Sequence, residues 1–170
     1  ASVAMMEQRA TTKRTGLLVA SSGGHLLQLV LLSRHLPDAS WTWVTFDTPD
    51  ARSLLEGRPT IFAHHPTNRS VRNLIRNLWL ALRVVRELRP SIVITTGAGV
   101  AVPFCWIAKA FGARIVYIES LARISSVSLT ARLVHPVSDR LFVQWPSVAH
   151  KLRKAEFAGS LLPPQFGPSE

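Results

Sequence analysis

Cysteine is almost missing from this chain: Cys105 is the single thiol in 170 residues. One thiol excludes an internal disulfide framework and a cysteine-rich zinc site. Its place in the apolar run 102–107 reads as a buried, inert residue rather than a nucleophile. Acids are scarce too, with 10 Asp and Glu against 20 Lys and Arg, for a net charge of +10. Between Gly57 and Ile118 the one acid is Glu87. An imbalance of that size calls for an anionic partner, whether nucleic acid, anionic lipid or a phosphorylated substrate. No apolar run approaches the roughly 18 residues that would read as a membrane span. Residues 1–15 carry no long apolar core of the secretory kind and are expected to form a flexible leader. The proline-rich 163–170 is expected to be an extended tail. No Gly-Lys-Ser/Thr follows the glycines, which excludes a Walker A loop. Gly97-Ala98-Gly99 is only half of a dinucleotide fingerprint, because Val102 stands where a third glycine is required.

What is present suits one domain with a sizeable core, residues 16–162, at 47% hydrophobic content. The organising stretch is Leu17 to Leu29, an apolar run ending in Ser21-Ser22-Gly23-Gly24-His25 and opening at once into helical spacing. It reads as strand, tight loop, helix, with unpaired N–H groups and a positive dipole end at the helix mouth. Further strands are expected at 41–46, 60–63, 91–96, 114–118 and 139–143, with an edge strand at 156–160. Helices are expected between them, the longest over 68–88. Continuous apolar strands alternating with helices predict a doubly wound, Rossmann-like parallel sheet covered on both faces. Such a sheet takes its ligand beyond the carboxyl ends of its strands, where Ser21 to His25, Asp47-Thr48, Gly97 to Gly99, Glu119 to Arg123 and Gln144-Trp145 all fall.

Two residues are candidates for proton transfer. Glu119, at the end of a buried strand, sits where a carboxylate pKa can rise; a helix cap or a partner for Arg123 is the structural alternative. His25 is the second, with a purely hydrogen-bonding role as its alternative. His64 and His65 are adjacent and point apart, and no third ligand accompanies them, so no metal site is expected. On the long helix, Arg69, Arg72, Arg76 and Arg83 fall in one arc. Leu74, Leu78, Leu82 and Val85 are expected to face the core, leaving Trp79 and Leu80 beside the arginines. Arginines with an exposed Trp and Leu suit a membrane headgroup boundary. No nucleic-acid-binding module is recognisable.

The run Tyr117-Ile118-Glu119-Ser120-Leu121-Ala122-Arg123, continuing to Leu133, and the later Asp139-Arg140-Leu141-Phe142-Val143-Gln144-Trp145-Pro146 resemble a known family. They are similar to the bacterial PssD-type capsule and exopolysaccharide proteins. They also resemble the membrane-recruiting subunit of the eukaryotic two-subunit transferase that adds the second GlcNAc to dolichyl diphosphate. Ser21 to His25 and Thr95-Thr96-Gly97-Ala98-Gly99 agree, and the likeness spans about 16–162. The resemblance implies the N-terminal, acceptor-side half of a GT-B glycosyltransferase related to MurG, with no cofactor. A separate donor-binding subunit would supply the UDP-sugar site, and the acceptor would be a polyprenyl-diphosphate-linked saccharide at the cytoplasmic face of the membrane. Glucuronic acid, galactose and GlcNAc all occur as donors in such a family. Ser21, Ser22, Gly23, Gly24, His25, Gly97, Ala98, Gly99, Ser120 and Arg123 would hold the diphosphate. His25 or Glu119 would be the base of an inverting transfer. A non-catalytic scaffold that recruits the donor-binding subunit is the rival expectation.

Overall fold

A computed structural model describes residues 14–67 and 70–161. The expected tail and all but the end of the expected leader lie outside the described residues, as does Arg69. Seven parallel strands form one sheet in the order β3-β2-β1-β4-β5-β6-β7. They are β1 (Thr15–Ala20), β2 (Ser40–Phe46), β3 (Thr60–Ala63), β4 (Ile92–Gly97), β5 (Arg114–Ile118), β6 (Arg140–Val143) and β7 (Ala155–Phe157). The helices between them are α1 (Gly24–Ser33), α2 (Pro49–Leu54), α3 (Val71–Leu88), α4 (Ala101–Ala110), α5 (Leu129–Val134) and α6 (Pro146–Ala149). This is the doubly wound α/β fold that the alternation of apolar strands and helices predicts. β1 and β4 are neighbours whose connections leave in opposite directions, so the crevice of the fold opens between their carboxyl ends.

Two apolar layers sandwich the sheet. On one face Leu26, Leu29 and Val30 of α1 and Ala51 of α2 pack on Leu18, Trp43 and Ile94. On the other, Ala81, Val84 and Val85 of α3, Phe104 and Cys105 of α4, and Ala131 and Val134 of α5 pack on Leu17, Val93 and Ile115. Burial in that second layer pushes the Cys105 thiol up to about 12, the inert state expected of it. Asp139, just before β6, accepts from Lys109 Nζ at 2.6 Å and from the Ile115 N–H at 2.7 Å, pinning α4 to the sheet. Burial pushes the Asp139 pKa up, but the ammonium and the N–H outweigh it and hold the carboxyl below its ordinary value.

The long helix corrects an expectation. Leu74 and Leu78 do not face the core; they are exposed, together with Val71, Ile75 and Trp79. The buried stripe is Asn77, Ala81, Val84 and Val85. At about 100° per residue, the two stripes are centred about 100° apart, and Arg72, Arg76 and Arg83 lie on the far side of the exposed one. Small residues fill the buried stripe because α3 lies directly against α4 and the sheet, where larger side chains would overfill the layer. Leu80, expected beside the arginines, instead packs against the core.

Asn77 is 1% exposed and holds its place through two bonds. Its Oδ1 accepts the His64 N–H and its Nδ2 donates to the His64 carbonyl, both at 2.8 Å. Asn73 Nδ2 donates to the Pro66 carbonyl at 2.8 Å, so the loop from β3 is fastened to α3 at two points. The last short helix, expected over 147–154 from the sequence, stops at Ala149, and β7 begins one residue early and ends at Phe157.

Candidate functional site

A cleft of about 1030 Å³ opens over the carboxyl ends of the strands. Ser21 and His25 come from the β1–α1 turn, Ala98 and Gly99 from the β4–α4 turn, and Glu119, Ser120 and Arg123 from the loop after β5. The β3–α3 loop adds His65 and Thr67, and α3 and α5 add Val71, Leu74, Leu129 and Leu133. The cleft therefore has a polar floor and an apolar mouth.

His25 is fixed from both sides of the switch point. Its Nδ1 lies 2.7 Å from the Thr96 carbonyl oxygen, and its own carbonyl accepts from Thr96 Oγ1 at 2.7 Å. A carbonyl can only accept, so Nδ1 carries the proton and Nε2 is left as the basic nitrogen. Gly97 leaves room beside this pair for the Tyr117 hydroxyl. Its φ is +103°, and a Cβ there would lie 2.6 Å from the Tyr117 hydroxyl and 3.7 Å from His25 Cε1. The Tyr117 hydroxyl lies 3.3 Å from Ser128 Oγ. Burial first, and then the charge of Glu119, raise its pKa and keep it protonated.

Glu119 is 1% exposed, and both of its oxygens are engaged. Oε1 accepts the Ser120 N–H at 3.0 Å, and Oε2 accepts the N–H of Ser128, the N-cap of α5, at 2.8 Å. This is the cap-like role that stood as the alternative for Glu119. The other alternative, a partnership with Arg123, is not made: Arg123 is exposed at the cleft, and among the described residues its guanidinium has no ion pair. The carboxylate ties the two ends of the 119–128 loop together, which sets where Ser120 and Arg123 stand.

The two glycine turns contribute unequally. Ser21, His25, Ala98 and Gly99 line the cleft, whereas Ser22, Gly23, Gly24 and Gly97 do not. The Gly23 N–H, expected to cradle an anion, donates instead to Asp50 Oδ2 at 2.9 Å. An Asp at the start of α2 was not legible as its acceptor, because strand order alone brings the two turns together. Gln28 and Gln144 were missed as well, apart from the latter's place in a motif. Gln144 Nε2 donates to Gln28 Oε1 at 2.7 Å and to the Glu119 carbonyl at 3.0 Å. No group of three or more metal-ligating side chains gathers among the described residues, and no helix among them is long and apolar enough to cross a membrane.

Comparison with solved structures places this architecture. MurG of Acinetobacter baumannii superposes with a TM-score of 0.72 at 16% identity, over 88% of this chain and 46% of that one. A UDP-N-acetylglucosamine 2-epimerase of Rickettsia bellii superposes at 0.67 and 14% identity, over 88% and 45%. The chain thus spans about half the length of these two-domain-sized neighbours, and the likeness speaks for the fold alone. Among curated proteins, the UDP-N-acetylglucosamine transferase subunit ALG14 of Debaryomyces hansenii is 30% identical over 86% of this chain and 75% of its own length. The protein of the same name in Rattus norvegicus is 25% identical over 86% and 82%. The model of the family described as "Oligosaccharide biosynthesis protein Alg14 like" matches residues 63–161, the part that contains α3, the second glycine turn, the Glu119 loop and Gln144. The chain belongs to this Alg14-like family, and so to the glycosyltransferase subunits.

Proposed function

We propose that this chain is the acceptor-side half of a split, inverting GT-B glycosyltransferase, completed by a separate donor-binding subunit. It receives a polyprenyl-diphosphate-linked saccharide at the cytoplasmic face of the membrane, as a peripheral protein, in exopolysaccharide or capsule biosynthesis. The observation that carries this reading is the contact between His25 Nδ1 and the Thr96 carbonyl. That carbonyl can only accept, so Nδ1 keeps its proton and donates, and Nε2 is left as the base in a cleft that Ser120 and Arg123 also line. The acceptor hydroxyl would give its proton to Nε2 as its oxygen attacks the anomeric carbon of the UDP-sugar. The bond from that carbon to the UDP oxygen breaks, and UDP leaves with the electron pair. Ser21, Ala98, Gly99, Ser120 and Arg123 would hold the acceptor diphosphate, and Glu119 would keep their loop in place rather than take the proton.

The mouth of the cleft fits a lipid-borne acceptor. Val71 is 71% and Trp79 66% exposed, on a helix whose flank carries Arg72, Arg76 and Arg83. An apolar stripe bordered by arginines suits an anionic bilayer surface. The test is sugar transfer to a polyprenyl-diphosphate-saccharide from UDP-GlcNAc, UDP-glucuronic acid and UDP-galactose, with this chain alone and with its donor-binding subunit. Transfer only in the mixture is expected. Transfer by this chain alone would overturn the split-enzyme reading, and full transfer by His25→Ala in the mixture would leave a recruiting scaffold instead.

A further inference from the structure

Gln144 follows β6 and is 2% exposed, yet it is polar and makes bonds to three separate parts of the chain. Its Nε2 donates to Gln28 Oε1 at 2.7 Å and to the Glu119 carbonyl at 3.0 Å, and its Oε1 accepts the Leu161 N–H at 3.0 Å. Gln28 passes the connection on. Its Oε1 also accepts the Leu121 N–H at 3.1 Å, and its Nε2 donates to the Gly24 carbonyl at 3.2 Å, in the first turn of α1. Trp145 Nε1 completes the hold on Leu121 by donating to its carbonyl at 2.7 Å.

The orientation of both amides is dictated by their partners. Gln144 Nε2 faces two acceptors and its Oε1 a backbone N–H; Gln28 Oε1 faces two donors and its Nε2 a carbonyl. A carboxylate at position 144 would set oxygen against oxygen at Gln28 and Glu119. What the pair joins is telling. α1 carries His25 in its first turn, and the loop held at Leu121 carries Ser120 and Arg123. Both are part of the lining of one cleft, borne on elements whose link, Gln28 to Leu121, spans 93 residues of sequence.

We propose that Gln144, acting through Gln28, is the positioning residue that sets the distance between the His25 wall and the Ser120–Arg123 wall. The inference rests on the glycosyltransferase reading above. A base and an anion-holding group serve one acceptor only if both stay within hydrogen-bond reach of it, and misplacement of about 1 Å costs rate steeply. Because donor binding would lie on the other subunit, loosening this pair lowers kcat and leaves the donor KM alone.

The experiment compares wild type, Gln144→Glu and Gln144→Ala, each assayed in the mixture with the donor-binding subunit. Gln144→Glu keeps the volume and loses both N–H donors. At pH 8 we expect its kcat to fall about 10- to 100-fold with donor KM within about twofold, as displaced catalytic geometry does. Burial raises a carboxyl pKa, and the protonated acid regains one donor. The ratio of Gln144→Glu to wild type therefore recovers as pH falls to about 6, while Gln144→Ala stays flat. Filling space alone would give no such recovery. Amide hydrogen exchange supplies a readout independent of transfer: Leu121 should lose protection in Gln144→Glu, while core amides of β1 and β4 keep theirs. Unchanged Leu121 protection, or wild-type kcat in both variants, overturns the proposal. If the wild-type mixture transfers no sugar, the functional reading fails, and Leu121 exchange alone decides whether Gln144 positions the walls.

Discussion

The floor and the mouth of the cleft are built on opposite terms. On the floor and just beneath it, polar side chains are held in place: His25 on Thr96, both oxygens of Glu119 on backbone N–H groups, and the buried Gln144 on three segments. At the mouth and along the helix that runs from it, Val71, Leu74, Ile75, Leu78 and Trp79 are large, apolar and exposed among the described residues. Each region tolerates what the other cannot. The floor depends on particular atoms at particular distances, so a small change there alters rate or folding. The mouth offers exposed apolar area and few fixed contacts, so on the membrane reading change there should alter binding to a bilayer and leave the fold intact.

The largest effect should come from the floor. His25→Ala removes the free Nε2, and kcat in the two-subunit mixture should fall about 10²- to 10⁴-fold, the usual worth of a general base. Its melting temperature should change little. Glu119→Ala should instead cost stability, and rate only along with it: two N–H groups lose their acceptor, at about 1–3 kcal/mol each. Denaturant unfolding should show a loss of about 2–6 kcal/mol. A loss of rate with full stability would make Glu119 the base after all.

At the mouth, Ile75→Ser combined with Trp79→Ser should weaken flotation with anionic vesicles about tenfold or more, since about 1.4 kcal/mol of lost apolar contact suffices for that. Stability should stay within about 0.5 kcal/mol, as for other exposed positions. Replacing Arg72, Arg76 and Arg83 by Gln should weaken flotation further at low salt than at high salt. Undiminished flotation in both variants would remove the distinction between floor and mouth. The smallest effect concerns neither region. The depressed Asp139 pKa contributes stability above the ordinary carboxylate value of about 3.9, which is lost as pH falls through the lower folded value. The stability gap between wild type and Asp139→Asn should therefore be steady near neutrality and shrink below about pH 4.

The sheet was legible because strands buried on both faces announce themselves as unbroken apolar runs. The turns that follow them could be assigned to one end of the sheet without coordinates. His25, Glu119 and Arg123 could be assigned to one cleft for that reason. What remained hidden depended on partners distant in sequence. Asp50 taking the Gly23 N–H, and Gln28 meeting Gln144, are consequences of strand order. The face of α3 was misread because periodicity identifies an apolar stripe without saying what covers it. This helix has two, and the leucine-rich one looks more like a core than the asparagine and alanines that are buried.

Asn77 gives that exposed face a further meaning. By gripping His64 it bolts the helix that bears this face to the loop that carries Thr67 against Gly99, beside the floor. On the membrane reading, the helix then works as a depth gauge. Val71 stands at the cleft and Trp79 lies eight residues on, about 12 Å away at 1.5 Å per residue. How far that span settles into the headgroups fixes the height of His25 above the bilayer, and with it how long a sugar stem a lipid-borne acceptor must raise to be reached.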